Sequence, residues 1–332
     1  MTPGTPLRRG VPIVAACFAA MIASIVAAPF IGSTEIHFAR VFSTATPFID
    51  NIDAQIFFIA RLPRAVAAAL VGGTLAAAGV VFQGLLRNPL ATPYTLGVSA
   101  GASLGAMLAI TFGTILPVGV AGASLLGAML AVAVVYFLAA ARNRGMSTMV
   151  LLLAGVTLNA FFSALILFVQ YLSDFAQTYR ALRWLMGDLD VAGYAPILGA
   201  LPLVVIAFAA FAWLARPLNL LSLGADAAGT RGVDVARAQR VAFFSASLAT
   251  GAAVSVGGPI GFVGIIVPHL VRLVVGADHR LVLPASTFFG AAFLVACDAL
   301  ARTVLAPLEL PVGIITAIIG GPFFLWMLVR RK

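Results

Sequence analysis

Apolar stretches of about twenty residues follow one another along the whole of this 332-residue sequence. Each stretch is long enough to cross a hydrocarbon core of roughly 30 Å as a helix. Only 9% of the residues are charged, against about 25% in an ordinary soluble domain. The apolar runs are continuous rather than alternating, which excludes a membrane β-barrel. The sequence therefore predicts an all-α, polytopic membrane protein with a single transmembrane domain over residues 1–332.

We predict ten spans. The first is read as an uncleaved span, because its apolar stretch is longer than the core of a signal peptide. Two of the spans, 93–112 and 261–276, contain several glycines and prolines and are expected to be broken helices that line a cavity. The predicted spans are residues 11–31, 63–86, 93–112, 115–139, 148–172, 194–215, 239–257, 261–276, 282–303 and 311–329.

Basic residues are unevenly distributed between the two predicted sides of the membrane. With the N-terminus inside, fourteen of the twenty lysines and arginines fall on the cytoplasmic side, where such residues are retained. Both termini are therefore predicted to be cytoplasmic. A charged insert with the sequence "GADAAGTRGVDVARAQR" (224–240) then faces the cytoplasm. It is either a solvated connection between spans or a binding surface for another protein.

The sequence contains no energy source of its own. It has no phosphate-binding loop, and its one lysine, Lys332, is the last residue. Cys17 and Cys297 lie in apolar runs, which favours packing over a disulfide or a ligand pair. The three scattered histidines have no metal-ligand spacing. We expect no metal or cofactor on this chain and no enzymatic activity.

Asp298 is the acidic residue that lies most clearly within a predicted span. An ionisable residue in a span raises the alternative of an ion-coupled secondary transporter. Arg302 follows four residues later, so a helical ion pair is the simpler explanation. His269 follows Pro268, where local hydrogen bonding is favoured over a role as a substrate ligand.

Three long stretches are similar to one family of membrane proteins. They are "RLPRAVAAALVGGTLAAAGVVFQGLLRNPLATPYTLGVSAGASLG" (61–105), "GPIGFVGIIVPHLVRLVVGADHRLVLP" (258–284) and "ELPVGIITAIIGGPFFLWML" (309–328). They resemble, in order, the FecCD-type permease subunits of ABC importers for ferric siderophores, haem and cobalamin. The resemblance covers nearly the whole chain, but it does not name the substrate.

The resemblance implies a set of partners. FecCD-type permeases have ten spans with an inverted repeat, the type II importer fold, and cytoplasmic termini. They form homodimers in a bacterial inner membrane, with two ATPase subunits below and a substrate-binding protein above. ATP and Mg²⁺ would be bound by the ATPase. No nucleic-acid partner is expected.

The resemblance also implies roles for particular residues. Residues 218–238 would form paired coupling helices in a cleft of the ATPase, which makes the insert a binding surface. The predicted coupling residues are Gly224, Asp226, Gly229, Arg231, Gly232, Asp234 and Arg237. The predicted docking residues for the binding protein are Arg61, Arg64 and Arg302. The predicted cytoplasmic gate comprises Asn88, Pro89, Leu90, Ser147 and Thr148.

Small residues in three spans are candidates to line the translocation pathway. Small residues also allow close helix packing in membranes, and the sequence does not separate these two uses. The candidates are Gly97, Ser99, Gly101, Gly155, Thr157, Gly313 and Thr316.

Overall fold

The computed structural model describes residues 7–43, 47–113, 119–140, 148–191 and 193–330. Within these ranges the chain forms helices and short connections, without a strand. We number the helices in chain order, leaving aside the one-turn helices before Leu62 and the turn Pro93–Leu96. They are α1 (Leu7–Ala27), α2 (Leu62–Leu86), α3 (Val98–Phe112), α4 (Gly119–Ala140), α5 (Thr148–Tyr171), α6 (Phe175–Leu185), α7 (Ala195–Leu221), α8 (Ala225–Gly229), α9 (Val235–Gly257), α10 (Val263–Val275), α11 (His279–Thr303) and α12 (Val312–Arg330).

The helices of the described ranges agree with the ten predicted spans. Seven of them are long and apolar enough to cross a membrane, and α3, α10 and α12 are shorter apolar helices. The ends differ by a few residues. Helix α7 continues to Leu221 instead of stopping near 215, and α9 begins at Val235 instead of near 239. An all-α bundle of ten apolar helices is therefore confirmed.

The predicted span 93–112 is interrupted, whereas the predicted span 261–276 forms one continuous helix, α10, that follows a break in the backbone. Before α3 the chain makes one 3-10 turn, and Gly97 then takes a left-handed φ of 80°. Between α9 and α10, Gly258 and Phe262 both have a φ of 68°. A bulky residue rarely adopts a positive φ, so Phe262 marks a strained break in the helical backbone.

Helix α2 lies at the centre of the bundle and packs against α9, α10 and α11. Its glycines permit these contacts. A side chain on Gly72 would collide with the carbonyl of Gly290 on α11, and one on Gly79 would collide with that of Gly264 on α10. Helices in lipid associate largely through close packing of this kind. The small residues of α2 therefore let it be enclosed by its neighbours.

The two ends of the bundle carry different residues. At one end, Asn219 of α7 donates to Asp278, just before α11, at 2.7 Å, and α8 follows; we call this the α8 end. At the other end, Arg64 near the start of α2 donates to Asp298 of α11 at 2.9 Å; we call this the Arg64 end. The predicted coupling and docking residues thus lie at opposite ends.

Two helical features were not predicted. Helix α6 is amphipathic and begins with a capping box, in which the side chains of Asp174 and Gln177 each bond the backbone N–H of the other residue. A one-turn helix, Ile52–Gln55, and a π-helical turn, Ile56–Arg61, also lead directly into α2. Helical backbone therefore runs from Ile52 to Leu86.

Candidate translocation pathway and partner surfaces

A partly polar cavity of about 560 Å³ lies against α3 and α5. Its apolar part includes Ile166, Leu167, Leu182 and Leu185. Its edge at Pro259 belongs to the interrupted segment before α10. The polar wall consists of Tyr94, Ser99, Ser103, Asn159, Ser163 and Gln170.

The polar residues of α5 form a stripe along one face of the helix. Asn159, Ser163 and Gln170 are spaced by four and seven residues, which places them on one helical face. Ser163 is exposed in the single chain, as are Val156 and Leu167 on the same face. Polar residues in a membrane helix usually face the protein interior or a water-filled space. This face is therefore a candidate wall of a pathway.

Side chains hold the interrupted backbone beside this wall. The Asn159 amide donates to the carbonyl of Tyr94 at 2.8 Å. The Tyr94 hydroxyl in turn donates to the carbonyl of Ile260 at 2.5 Å. Backbone groups outside regular helices need such partners in a membrane. These two bonds fix the broken segments at both edges of the cavity.

The predicted pathway residues have different surroundings. Ser99 lies on the cavity wall. Gly101, Gly155 and Gly313 instead lie against backbone, where an added side chain would collide with the carbonyls of Gly127, Thr95 and Met186, respectively. The structure therefore gives these three glycines a packing role. A role in the pathway stays a prediction for each of them.

The remaining predicted pathway residues are a turn and two threonines. Gly97 forms the left-handed turn before α3. Thr316 is buried and donates to the carbonyl of Gly313 at 3.0 Å. Thr157 is exposed on α5 and donates to the carbonyl of Leu153 at 2.9 Å. Both threonine hydroxyls thus have a partner within their own helix.

The predicted gate residues begin in a tight turn at the α8 end. Arg87 ends α2 with a left-handed φ of 47°, and the side-chain oxygen of Asn88 accepts from the N–H of Leu90 at 2.9 Å. Pro89 is exposed within this turn. The turn geometry is therefore established, and the gating role stays a prediction. Thr148 begins α5, and Ser147 lies outside the described residues.

The predicted coupling segment, 218–238, contains one free helix instead of two. Residues 218–221 are the last turn of α7, and residues 235–238 are the first turn of α9. Helix α8 lies between them and begins directly after Gly224, which has a φ of 117°. Because the long helices extend into the segment, what remains for an independent helix is five residues.

The charged residues of this segment are exposed. They are Asp226, Arg231, Asp234 and Arg237, and Gly229 and Gly232 are exposed with them. The Asp234 carboxylate caps α9 by accepting from the N–H of Arg237 at 2.9 Å. The guanidinium of Arg237 also lies 5.7 Å from the Trp213 ring centroid, on α7. These contacts join α7, the insert and α9 into one surface at the α8 end.

The three predicted docking arginines lie near the Arg64 end, but their side chains turn inward. Arg61, Arg64 and Arg302 are 7%, 7% and 2% exposed. Arg302 shares the carboxylate of Asp298 with Arg64, at 3.1 and 2.9 Å. Arg64 also bonds Glu309 at 2.6 Å. The resemblance implied that these arginines bind a partner protein. The structure instead turns Arg64 and Arg302 toward acidic residues of the chain, and Arg61 toward backbone carbonyls.

Backbone carbonyls accept further hydrogen bonds from Arg302 and Arg61. Arg302 donates to the carbonyls of Ala28 at 3.2 Å and Ile31 at 2.7 Å. Arg61 donates to the carbonyls of Pro29 and Thr34. The arginines thus tie the segment after α1 to α2 and α11. Their role in docking a binding protein stays a prediction.

Asp298 is confirmed as a partner of Arg302 in a helical ion pair. It is 1% exposed and lies between two guanidinium groups. A carboxylate paired in this way has a structural use that requires no coupling ion. The geometry thus does not favour the secondary transporter that Asp298 suggested.

The described part of the chain contains no cluster of three or more histidine, cysteine or acidic residues that could hold a metal ion. On α5, three wall residues were missed in the sequence, namely Asn159, Ser163 and Gln170. Their helical spacing within an apolar span was the signal that could have identified them.

Residues 20–330 match the model of the FecCD transport family. The chain belongs to the FecCD transport family. It is 46% identical over 272 residues to the cobalamin import system permease protein BtuC of Halobacterium salinarum, a match that covers 82% of this chain and 73% of the relative. It is 39% identical over 305 residues to the hemin transport system permease protein HmuU of Yersinia pestis, a match that covers 91% and 90%.

A solved structure of a metal-chelate type ABC transporter in an inward-facing conformation has the same fold. The TM-score is 0.81 at 32% sequence identity, and the match covers 97% of this chain and 99% of that one. As a FecCD permease, the chain is the membrane-spanning subunit of an ABC importer and is not itself an enzyme. The family implies a separate ATPase and a membrane complex.

Proposed function

We propose that this FecCD permease forms a homodimer that carries an iron chelate, such as a ferric siderophore or haem, or cobalamin into the cytoplasm. The observation that supports this most is the half-open cavity between α3 and α5. Its polar stripe, Asn159, Ser163 and Gln170, lies on a face that a single chain leaves partly uncovered. A second copy facing this stripe would close the space into a channel.

The polar side chains of the α5 stripe indicate that the stripe contacts protein and not lipid in the membrane. Asparagine and glutamine side chains are costly against lipid and tend to face other helices or water. Two such cavities, about 560 Å³ each, would together exceed the volume of a typical ligand pocket, which is roughly 300–1,000 Å³. The joined space could therefore hold an unusually large ligand. The relatives named for cobalamin and hemin support a cargo of this size.

We place the ATPase at the α8 end. The exposed, mixed-sign residues of 218–238 there offer charge-assisted contacts, and α7 and α9 continue from this surface into the bundle. A movement of the ATPase would reach the bundle through these two helices. ATP and Mg²⁺ belong to that partner. The turn at Asn88, Pro89 and Leu90 lies at the same end and is our candidate for the gate.

The binding protein is placed at the Arg64 end. Arg61, Arg64 and Arg302 are held internally, so a direct ion pair with a partner requires exchange of an internal acceptor. Of the two acidic acceptors, Glu309 is the more accessible, with a side chain 40% exposed against 1% for Asp298. The excess of basic residues on the α8 side supports an orientation with that end and both termini in the cytoplasm of a bacterial inner membrane.

Cross-linking tests the homodimer. In a variant without Cys17 and Cys297, a cysteine at Val156 on the exposed face of α5 should form cross-linked dimers with bifunctional reagents in native membranes. A cysteine at Leu198 on α7, which is comparably exposed, is the matched control and should not. Dimers formed equally at both positions, or at neither in a transporting complex, would refute the proposed interface.

Uptake into proteoliposomes tests the cargo. The permease is reconstituted with its ATPase and binding protein, and labelled ferric siderophore, haem and cobalamin are compared. Ser163→Leu should block uptake while the ATPase stays bound, because it fills the polar stripe. Ala164→Leu, at the exposed neighbouring position, should transport normally. If Ser163→Leu takes up the ligands as the wild type does, the polar stripe does not line the pathway.

A further inference from the structure

An apolar groove of about 430 Å³ lies between α7 and α11, away from the polar cavity. Its floor is Ala77 of the central helix α2, and its α7 wall includes Phe208 and Ala212. On the α11 side it ends at Phe288, which packs edge-on against the exposed Phe18 of α1 with ring centroids 5.1 Å apart. The groove is thus continuous with the apolar outer surface of α1.

The groove has the length of an acyl chain within one leaflet. Its lining on α11 runs from His279 and Arg280 to Phe288. The eight residue steps from Arg280 to Phe288 give a rise of about 12 Å along the helix. One leaflet contributes about half of a hydrocarbon core of roughly 30 Å. The groove therefore extends from the α8 end almost to mid-membrane.

The mouth of the groove is polar and well ordered. Asn219 donates to Asp278 at 2.7 Å and accepts from the N–H of His279 at 2.8 Å. The Nε and Nη2 groups of Arg280 also donate to the carboxylate of Asp278. These bonds hold Arg280, which lines the groove, at the mouth.

The charge at the mouth is positive overall. Asp278 offsets one arginine, but Arg216 lies in the same turn of α7 as Asn219 and is exposed. The Nη1 group of Arg280 makes no hydrogen bond within the described chain. It can therefore donate to another acceptor. Pro284 lacks an N–H, so the Arg280 carbonyl also has no helical partner there.

A second groove provides a natural comparison. It lies between α1 and α11 toward the Arg64 end, has a volume of about 360 Å³, and is lined by residues that include Ser24, Ala296 and Thr303. It has no charged residue in its lining. The two grooves share a helix and an apolar character and differ in the basic mouth.

We propose that the groove between α7 and α11 binds one anionic phospholipid from the leaflet at the α8 end. One acyl chain lies over Ala77 and Ala212, and the headgroup phosphate accepts from the guanidinium of Arg280. Charge complementarity selects an anionic headgroup, since phosphate and arginine form strong charge-assisted bonds and basic residues near a membrane attract anionic lipids. The lipid would fill the groove that α7 and α11 leave open.

Native mass spectrometry of the permease–ATPase complex tests this site. The complex is stripped of lipid in detergent and titrated with phosphatidylglycerol or phosphatidylcholine of identical acyl chains. We expect saturable binding of one phosphatidylglycerol per permease chain and weaker binding of phosphatidylcholine. Ala212→Trp fills the groove and should abolish this binding. Ala296→Trp, an equally exposed alanine in the comparison groove, should leave it unchanged.

Arg280→Gln tests the headgroup contact without filling the groove. It should weaken phosphatidylglycerol binding about tenfold, the size of one charge-assisted bond, and leave phosphatidylcholine binding unchanged. Equal affinity for both lipids in the wild type would refute selection by charge. Wild-type lipid binding by Ala212→Trp would refute the site, and loss of dimers in that variant would assign the groove to a second copy of the chain.

Discussion

Arg64 at the start of α2 donates to Asp298 near the end of α11, with 2.9 Å between Nε and Oδ1. The same carboxylate accepts from Arg302 at 3.1 Å through its other oxygen. One buried acid therefore holds two buried arginines at the Arg64 end. Removing one partner of such a group is far more costly than removing an exposed one, because it leaves buried charge without compensation.

We expect Asp298→Asn to destabilise the protein strongly, by about 3–5 kcal/mol. The comparison is Glu309→Gln, which removes a partner of the same Arg64 whose side chain is 40% exposed and should cost only about 0–1 kcal/mol. Thermal unfolding of both variants in one detergent measures the difference. Equal loss of stability in the two variants would contradict the central position of Asp298.

The crossing of α2 and α10 gives a second prediction. Gly79→Ala should destabilise the bundle by about 1–3 kcal/mol, because the new methyl group collides with the Gly264 carbonyl. Gly199→Ala on α7, where nothing lies within 4 Å of the added carbon, is the control. It should be neutral or stabilise by up to about 1 kcal/mol, since alanine is the better helix former. Thermal unfolding decides, and stabilisation by both changes would contradict the close crossing.

A third prediction concerns the coupling segment. Asp226→Arg in α8 should reduce copurification of the ATPase and uncouple transport, while the permease inserts in normal amounts, because Asp226 is exposed. Asp50→Arg is the control, because it makes the same charge reversal at an exposed acid ahead of α2, at the Arg64 end. It should leave ATPase copurification unchanged. If Asp226→Arg binds the ATPase and transports like the wild type, α8 is only a connection.

Asp278, at the mouth of the groove between α7 and α11, leads us to predict that the stability of the protein depends on pH. The side chain of Arg280 beside it, with help from Asn219 and the N–H of Arg280, lowers the pKa of Asp278 to about 2. An acid with a lowered pKa stabilises the fold fully above its unfolded pKa of about 4 and loses this contribution as the pH falls toward 2. The melting temperature of Asp278→Asn should therefore lie below the wild type at pH 6, and the gap should close toward pH 2.5.

The Arg280→Gln variant checks the cause of this shift. Without the guanidinium, the carboxyl group of Asp278 should titrate nearer its ordinary value, and the variant should lose less stability than the wild type between pH 4 and pH 2.5. A gap between wild type and Asp278→Asn that stays constant over this range would show that the ion pair contributes nothing measurable.

Much of the bundle could be predicted from hydropathy, because a span needs a long apolar run whatever its partners are. The breaks before α3 and α10 could also be predicted, since glycine and proline interrupt helices through local geometry. Helix α6 was missed because it is too polar for a span. Its capping box of Asp174 and Gln177 was a local signal that could have identified it.

The burial of the arginines could not be predicted in the same way. The sequence correctly grouped Arg64 and Arg302 at one end, yet Arg64 lies 234 positions from its partner Asp298 along the chain. Whether a guanidinium turns inward depends on such a distant acid and on free carbonyls such as that of Ile31. Those partners come together only through tertiary packing. The polar wall of α5 is the opposite case, because its helical spacing is present in the sequence itself.

The bonds from Arg302 to the carbonyls of Ala28 and Ile31 have a practical consequence for experiments on motion. Helix α1 is peripheral and mostly exposed, so it is an easy place to attach a spectroscopic label. Its far end, however, is fastened to the last turns of α11. A label on α1 near Ala27 should therefore report the movement of α11 during the transport cycle, even though most of α11 is buried and inaccessible to labelling reagents.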